Sequence, residues 1–313
     1  MTDIGVFVEC KEGTIRKASL ELLSKATEMA EGAVLAFLLG HESIAEELAS
    51  YADKVIIADT PEGYRWDTYT DALAQLITKY TPSMVFGAST VTGKDLFPRL
   101  AARLNHAFIA DAVDIVRAEE VKVKKPLFGG RVISWAAFTG PALITFRPNS
   151  FGVAKRSSSG EIIKESLSIT KDSRFSITSS EKDTTAKVDL QEADFIICGG
   201  RGMKGPEHFA LLEEIATLMK GRVGASRAVV DAKWRDYDDQ VGKSGKTVSP
   251  KIYIGCGISG ALHHTMGMDT SKTIIAVNKD PAAPIFNAAD YGIVDDVFTI
   301  LPLLKEELQK AKE

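Results

Sequence analysis

The sequence of 313 residues predicts an α/β protein with two doubly wound, mostly parallel sheets. In the first half, short β-rich runs alternate with amphipathic segments, and this alternation is typical of parallel sheets flanked by helices. A second alternating pattern begins near residue 193, after a polar stretch with few large apolar side chains. We therefore expect an N-terminal α/β domain over residues 1–188 and a C-terminal one over residues 189–313, with the boundary near residues 186–190.

Strand and helix patterns alternate through the first hundred residues. From Ile15 to Met29, apolar side chains recur at helical spacing on one side of the segment, so one face of this helix should pack on the sheet. The predicted strands are 4–8, 33–38, 55–58 and 83–86, and the predicted helices are 15–30, 44–51, 68–77 and 94–104.

The pattern changes from about residue 120 onwards. The runs 121–123, 129–135 and 142–146 are typical of strands, and no helical pattern lies between them. We therefore expect a mixed or antiparallel edge in this part of the first domain. Residues 154–188 are polar, and we interpret them as exposed excursions that end in a linker.

The second domain is predicted to start with a buried strand at residues 193–198, which ends at the sequence G-G-R-G. A helix opened by Pro206 follows, with Gly221 as its expected C-cap. Further buried strands are predicted at 251–254 and 272–280. An amphipathic helix at 300–312 closes the domain.

Composition narrows the classes of function. The 38 basic and 42 acidic residues give a net charge of -4, so a nucleic-acid partner is not expected. No apolar run approaches the roughly 20 residues needed to span a bilayer, and no signal-peptide pattern precedes the first strand. We expect a cytoplasmic protein, or a matrix protein if a targeting segment has been removed. The three cysteines are far apart, so no disulfide framework or metal site is predicted.

The most specific motif is G-C-G-I-S-G at residues 255–260, a GxGxxG loop that follows an apolar run. Such a loop lets the backbone approach a pyrophosphate and aims the amides of a following helix at it. An ordinary tight turn would show the same pattern. The second strand pattern, which ends near Asp280, fits a βαβ unit and favours a dinucleotide site.

Three further segments of the second domain contain residues suited to a phosphate ligand. These are G-G-R-G at 199–202, V-G-A-S-R-A-V-V-D at 223–231 and Q-V-G-K-S-G-K-T at 240–247. Arg201 could meet a phosphate, and Arg227 interrupts an apolar run, where a cation needs a partner or a ligand. The first segment could equally be a turn with a surface arginine, and the third a solvated hairpin.

Taken together, these motifs resemble the alpha (large) subunits of electron transfer flavoproteins. The resemblance is close across residues 193–313 and looser over the first domain. The matching stretches are Y-I-G-C-G-I-S-G-A at 253–261 with His264 and Gly267, A-V-N-K-D at 276–280, A-P-I-F at 283–286 and A-D-Y-G at 289–292, with G-A-S at 87–89 and G-K-D-L-F-P-R at 93–99.

The resemblance implies a heterodimer in which the C-terminal domain of this chain binds FAD and a smaller beta subunit completes the cleft. Arg201 would contact the FAD phosphates, and Ser226 and Arg227 would lie by the isoalloxazine or the phosphate chain. Ser244 would donate a hydrogen bond to flavin N5, and His264 would face the pyrimidine O2. The remaining implied FAD-binding residues are Gln240, Gly257, Ser259 and Gly260 at the ribityl and pyrophosphate, Gly242, and Asn278 and Asp296 at the adenosine end.

The same resemblance implies an electron carrier without a substrate-converting site of its own. Its FAD would accept electrons from acyl-CoA dehydrogenases of fatty acid β-oxidation or related flavoenzymes, and would pass them to a quinone-linked oxidoreductase through a stabilised semiquinone. Arg227 and His264 would stabilise negative charge on the half-reduced flavin. From the residues alone, no nucleophile or metal-ligand pattern is evident, which favours a carrier.

One residue departs from the family pattern, which usually has Gln-His where this chain has His263-His264. His263 is either a plain surface or core histidine or an additional titrating group near the flavin. The sequence also leaves open whether a second FAD or AMP occupies the beta subunit, and whether the complex bifurcates electrons.

Two other functions fit parts of the sequence. An NAD-dependent dehydrogenase would use the same GxGxxG motif, with Asp280 on a ribose and His264 or His208 as the acid/base. An adenine-nucleotide sensor would bind its ligand to the first domain alone, where the turn at residues 87–89 permits a close approach.

Overall fold

The protein is described by a computed structural model over residues 2–60, 63–117, 119–128, 130–156, 159–170, 176, 178–179 and 189–311. The chain forms two compact units, one made of Met1–Pro126 with Ile133–Thr184 and the other of Leu127–Val132 with Thr185–Glu313. The boundary expected near residues 186–190 falls partly on residues 186–188, which lie outside the described residues.

A seven-stranded parallel sheet forms the centre of the first unit, in the order β12-β5-β4-β1-β6-β11-β7. The strands up to residue 165 are β1 (Ile4–Val8), β2 (Cys10–Lys11), β3 (Thr14–Ile15), β4 (Val34–Leu39), β5 (Lys54–Ala58), β6 (Met84–Ala88), β7 (Ala107–Ala112), β8 (Asp114–Arg117), β9 (Val121–Leu127), β10 (Val132–Ala137), β11 (Ala142–Phe146) and β12 (Glu161–Glu165). The helices are α1 (Lys17–Met29), α2 (Ala45–Leu48), α3 (Trp66–Tyr80) and α4 (Val91–Leu104).

Helices cover both faces of this sheet, which confirms the doubly wound α/β prediction. Successive strand residues point to opposite faces, so Val6 and Val8 of β1 pack with α1 and α2 while Phe7 packs with α3 and α4. All five residues of β1 are buried, as expected for a parallel strand covered on both sides.

The predicted antiparallel edge was wrong for residues 142–146. These residues form β11, a fully buried strand that lies between β6 and β7 and is parallel to both. The antiparallel part is a separate three-stranded sheet, β10-β9-β8. The polar stretch 154–188 also contains β12, a parallel edge strand beside β5, whose residues are exposed or half-buried and can therefore be polar.

The second unit contains a five-stranded parallel sheet in the order β14-β13-β15-β16-β17. Numbered from its own first strand, this is the order 2-1-3-4-5 of doubly wound sheets, with the switch point between β13 and β15. Its elements are β13 (Phe195–Gly199), α5 (Phe209–Leu218), β14 (Arg222–Ala225), α6 (Arg227–Asp231), β15 (Ile252–Cys256), α7 (Leu262–Thr265), β16 (Thr273–Val277), β17 (Tyr291–Ile293) and α8 (Val297–Lys310).

The two faces of the second sheet are covered differently. Helices α5, α6 and α8 contribute buried side chains such as Leu212, Val229 and Leu301 to one core. The core on the other face takes side chains such as Tyr253 and Ile196 from strands, and the residues that cover them, such as Val241 and Ile285, come from loops and 3₁₀ turns. Loops therefore cover the face on which the GxGxxG crossover runs.

Gly221 is not the C-cap that the sequence predicted. Helix α5 ends at Leu218, and Lys220 takes the left-handed conformation with φ of 51°. Gly221 instead allows a close approach, because a Cβ there would lie 2.3 Å from the carbonyl oxygen of Phe195.

Within the part of the chain that the structure describes, no helix has the length and apolarity required to cross a membrane.

Candidate functional site

A cavity of about 500 Å³ opens at the carboxyl ends of β13, β14, β15 and β16. This position includes the switch point of the sheet, where doubly wound proteins bind ligands. Nine of the twelve predicted FAD-binding residues line the cavity: Arg201, Ser226, Arg227, Gly242, Ser244, Gly257, Ser259, His264 and Asn278. Gln240, Gly260 and Asp296 lie beside it.

Two glycine loops meet at the back of the cavity. The Gly200 amide donates to the Cys256 carbonyl at 2.9 Å, and the Gly202 amide donates to the Gly257 carbonyl at 3.0 Å. Gly257 has φ of 61°, and a Cβ there would lie 2.7 Å from the Cα of Gly202. Glycine is therefore required at position 257 both for the backbone conformation and for the contact between loops.

The GxGxxG loop itself differs from the prediction in one respect. The helix that follows, α7, has four residues and starts only at Leu262, so its dipole adds little at a phosphate. The amides of Ile258, Ser259 and Gly260 remain available, since they donate to no other residue in the described part of the chain. Three consecutive free amides are suited to binding an anion.

The two arginines are exposed at the cavity rim. Arg201 begins the 3₁₀ turn Arg201–Met203, directly after β13. Arg227 begins α6, and its Nε lies 3.3 Å from Oδ2 of Asp231, one helical turn later. Asp231 also lines the cavity, although the sequence pattern did not single it out. An acid at this spacing is indistinguishable in sequence from a common surface ion pair.

Ser244 lies on a loop held from several sides. The buried Gln240 donates from Nε2 to Ser244 Oγ at 3.0 Å, which leaves the hydroxyl proton free to donate elsewhere. Tyr237 donates to the Ser244 carbonyl at 2.6 Å. Asp239, which precedes this loop, is buried between Arg222 and Arg235 at 3.0 and 2.7 Å.

His264 is buried in the cavity wall. Its Nε2 lies 2.7 Å from the hydroxyl of Tyr253, and its Nδ1 makes no hydrogen bond with any described residue. Burial lowers the pKa of His264 to about 4, although the Val241 backbone partly opposes the shift, so the ring is neutral near pH 7. The role of His264 towards a flavin stays a prediction.

His263, the residue that departs from the family pattern, is exposed and also lines the cavity. Its carbonyl accepts from the Lys243 amide at 2.7 Å. This hydrogen bond joins residues 262–267, here called the α7 turn, to residues 240–247, here called the Ser244 loop. Whether its imidazole acts on a flavin stays a prediction.

A second, smaller cavity shares Arg201, Gly257 and Asn278 with the first and is also lined by Asp296. Asn278 donates from Nδ2 to the Ile258 carbonyl at 2.8 Å and thereby holds the GxGxxG loop against the end of β16. Asp296 caps α8 by accepting from the Phe298 amide at 3.0 Å, and this hydrogen bond, with Lys204 nearby, lowers its pKa. Gly260, with φ of 81°, packs against the backbone of Ile285.

These features fit a dinucleotide with an isoalloxazine ring. Free amides and two exposed arginines can receive phosphate groups, and the small residues of the glycine loops allow the close approach that a pyrophosphate needs. Ser244 offers a hydroxyl donor on the opposite wall. Among the described residues, no group of three or more His, Cys, Asp or Glu side chains could hold a metal ion.

Of the residues proposed for a dehydrogenase, Asp280 and His264 line the cavity and His208 does not. The Nδ1 of His208 donates to the Met203 carbonyl at 2.7 Å, and the ring packs edge-on against Phe298. Asp280 does line the cavity, but its Oδ1 accepts from the Ala282 amide in a local turn.

The switch-point crevice of the first unit offers little room for an adenine nucleotide. Its switch point lies beyond β1 and β6, where the buried Glu9 accepts hydrogen bonds from Thr90 at 2.8 and 2.9 Å. The cavity beside Glu9 measures about 110 Å³. Ligand pockets usually measure about 300 to 1,000 Å³, so the described part of this crevice is too small for a nucleotide.

Comparisons with known proteins give the family of the chain. A family model described as electron transfer flavoprotein domain matches residues 4–170, and one described as electron transfer flavoprotein FAD-binding domain matches residues 189–269. The chain is 41% identical to an electron transfer flavoprotein subunit alpha of Thermoanaerobacterium thermosaccharolyticum, over 99% of this chain and 98% of the relative. The corresponding protein of Bacillus subtilis is also 41% identical, over 97% of both. An acryloyl-CoA reductase electron transfer subunit beta of Anaerotignum propionicum is 35% identical, over 99% and 96%.

Proposed function

The chain belongs to the electron transfer flavoprotein family as an alpha subunit, and from this premise we propose how its residues hold FAD and which partners it serves. The FAD-binding domain identifies FAD as the cofactor and electron transfer as the function. The dehydrogenase alternative is not supported. When bound, FAD supplies the electron-accepting and electron-donating chemistry.

We infer that the cavity at the carboxyl ends of β13 to β16 is the FAD site. Arg201 and the amides of Ile258, Ser259 and Gly260 bind the pyrophosphate, while Ser244 donates to the ring at N5. Arg227 lies at the rim and favours negative charge on the ring, with Asp231 reducing this effect. The lining of one cavity by nine residues chosen from the sequence is the observation that supports this assignment.

The remaining predicted contacts act at the ends of the site. Ser226 and Gly242 contact the ring side, Asn278 and Asp296 the adenosine side, and Gln240 acts through its hydrogen bond with Ser244. Gly257 and Gly260 contribute by allowing the close backbone packing that shapes the loop.

The partners follow from the family. Alpha subunits of electron transfer flavoproteins pair with a beta subunit, and we propose that a beta subunit completes this FAD site as well. Acyl-CoA dehydrogenases are the proposed electron donors and a quinone-linked oxidoreductase the proposed acceptor, without a substrate-converting site on this chain. The relative named as an electron transfer subunit of acryloyl-CoA reductase supports a partner enzyme that acts on acyl-CoA thioesters.

The test is a visible spectrum of the chain copurified with its beta subunit, followed by stepwise anaerobic reduction. We expect bound FAD that is reduced by an acyl-CoA dehydrogenase in the presence of its thioester substrate. Arg201→Ala should weaken FAD binding about ten- to a hundredfold, since hydrogen bonds between charged groups are worth about 1.5–3 kcal/mol. Lys272→Ala, an exposed cation before β16 at the opposite end of the sheet, is the control.

A complex that cannot be reconstituted with FAD but binds NADH would contradict the assignment. Equal FAD affinity of the Arg201→Ala and Lys272→Ala complexes would remove Arg201 from the phosphate site while leaving the cofactor itself in place.

A further inference from the structure

The loop that contains Ser244 is attached to the α7 turn at both of its ends. Before Ser244, the Lys243 amide donates to the His263 carbonyl at 2.7 Å, and after it the Val248 amide donates to the Gly267 carbonyl at 2.8 Å. The backbones are in close contact, since a Cβ on Gly267 would lie 2.4 Å from the amide nitrogen of Gly242. The Val241 amide also donates to the Ala225 carbonyl of β14 at 2.9 Å, so the position of Ser244 depends on both β14 and the α7 turn.

One buried side-chain hydrogen bond joins the α7 turn to the sheet. His264 is the buried residue of this turn, and its Nε2 lies 2.7 Å from the hydroxyl of Tyr253 on β15. Tyr253 is fully buried. The α7 helix has only four residues, and Met268, which follows this turn, is buried in the cluster around Tyr253, so the turn is tied to the sheet by this hydrogen bond together with the packing of Met268.

The chemistry of the neighbours determines which group is the donor. Burial raises the pKa of Tyr253 well above its ordinary value, so the phenol keeps its proton. The other group that contacts this hydroxyl is the thiol of Cys198, whose sulfur is a weak acceptor. An imidazole nitrogen with a free lone pair is a stronger acceptor, so the phenol donates to Nε2. The single proton of the neutral ring is then on Nδ1.

We propose that Tyr253 is a positioning residue for the FAD site: its hydroxyl holds His264 in the neutral Nδ1–H tautomer and, through the α7 turn, sets the place of Ser244. This inference rests on the proposed function, because Ser244 matters only if FAD is bound in this cavity. Tyr253 itself does not line the cavity, so it acts through His264.

The first experiment is selective ¹⁵N labelling of histidine in the complex with the beta subunit, with and without FAD. This chain has five histidines, and His264→Gln assigns the signal of His264. We expect a protonated Nδ1 and an unprotonated Nε2 in both states. A protonated Nε2 would overturn the inference, and this measurement does not depend on the folding of the Tyr253 variant.

The second experiment is a double-mutant cycle on FAD affinity and on the first one-electron potential. Tyr253→Phe retains the ring and removes only the hydroxyl, and we expect FAD binding to weaken about three- to tenfold. In the Tyr253→Phe background, Ser244→Ala should have an effect at least about twofold smaller than in the unsubstituted complex, because the two residues are coupled. Arg201→Ala, on another wall, should act additively with Tyr253→Phe.

The controls separate positioning from general packing. Cys198→Ala removes the weak acceptor and should leave the tautomer of His264 unchanged. Additive effects of Tyr253→Phe and Ser244→Ala would overturn the inference even if both complexes bind less FAD. Binding of FAD by the unsubstituted complex tests the proposed function separately, so the two conclusions can fail independently.

Discussion

His264 and Arg227 line the same cavity, but their surroundings act on them in opposite ways. The histidine is buried, neutral and hydrogen-bonded to Tyr253, so desolvation dominates its behaviour. The arginine is two-thirds exposed and shares its charge with Asp231 across one helical turn. The protonated, charged form of His264 is therefore strongly disfavoured. Arg227 keeps its charge, and Asp231 only weakens the electrostatic effect of that charge on the cavity.

His264 should make the stability of the protein depend on pH. The unfolded chain binds a proton at this histidine below about pH 6.5, whereas the folded protein resists protonation until about pH 4. The contribution is therefore fully present above about pH 6.5, and up to about 3 kcal/mol is lost as the pH falls to about 4. Urea unfolding of the chain and of His264→Gln between pH 7 and pH 4 measures this loss. Parallel curves for the two proteins would contradict it.

Asp231 should lower the first one-electron potential of bound FAD by screening Arg227. Asp231→Asn removes the screening charge, and since an exposed pair is worth less than about 1 kcal/mol, we expect a rise of about 10 to 30 mV. Arg227→Ala should lower the potential. Potentiometric titration of the complex measures both, and Asp194→Asn, which removes an exposed pair with Lys251 at the opposite end of the sheet, is the control. Shifts of the same sign for Asp231→Asn and Arg227→Ala would contradict the argument.

Some residues of the site could be found from the sequence, and others could not. Arg201, Gly257 and Ser259 lie in local motifs whose glycines and spacing carry the information. Asp231 resembles an ordinary surface partner of an arginine, and Tyr253 resembles a core aromatic, because their roles depend on neighbours brought close by the fold. The sequence also did not indicate that Nδ1 of His264 is buried without a hydrogen-bond partner among the described residues.

At the scale of elements, the sequence patterns predicted which segments form strands. They predicted less well which position each strand takes in the sheet. The five buried residues of β11 have the apolar run of an interior parallel strand, but the absence of a nearby helix pattern suggested an edge. The crossover that places β11 between β6 and β7 includes the antiparallel strands β8, β9 and β10 in place of a helix. Sequence order alone does not show such an insertion.

The loop after β15 should be the most sensitive element of the site. Gly260 has φ of 81°, and a Cβ there would lie 2.2 Å from the amide nitrogen of Ile285. Gly260→Ala should destabilise the second unit by about 2 kcal/mol or more and weaken FAD binding, through backbone strain and a steric clash. Gly152→Ala, at a position where a Cβ meets nothing within 4 Å, is the matched control. Thermal unfolding and FAD titration measure both variants, and equal behaviour would show that the loop adapts.

At the scale of the whole molecule, the two units differ in what their switch points contain. In the second unit the switch point is a cavity of about 500 Å³ lined by glycine loops. In the first unit the corresponding crevice holds Glu9 and Thr90, with a cavity of about 110 Å³. Two parallel sheets with similar construction thus differ in their capacity for a nucleotide because of the side chains at the ends of two strands.

Binding of FAD should therefore protect one unit far more than the other. Hydrogen exchange of the complex with and without FAD should show slower exchange in β13, β15 and the loops of residues 199–202, 240–247 and 255–260, because a ligand stabilises the folded state that binds it. The strands β1 and β6 of the first unit should change little. Equal protection of both units, with the beta subunit present in both samples, would indicate a second FAD site.

The loop-covered face of the second sheet has a kinetic consequence. Between β15 and β16 the chain contains only a four-residue helix, so the cavity wall there can open without separating a long helix from the sheet. Such local openings need less free energy than global unfolding. With FAD bound at the proposed site, we expect such openings to let the cofactor leave and re-enter while both sheets remain folded.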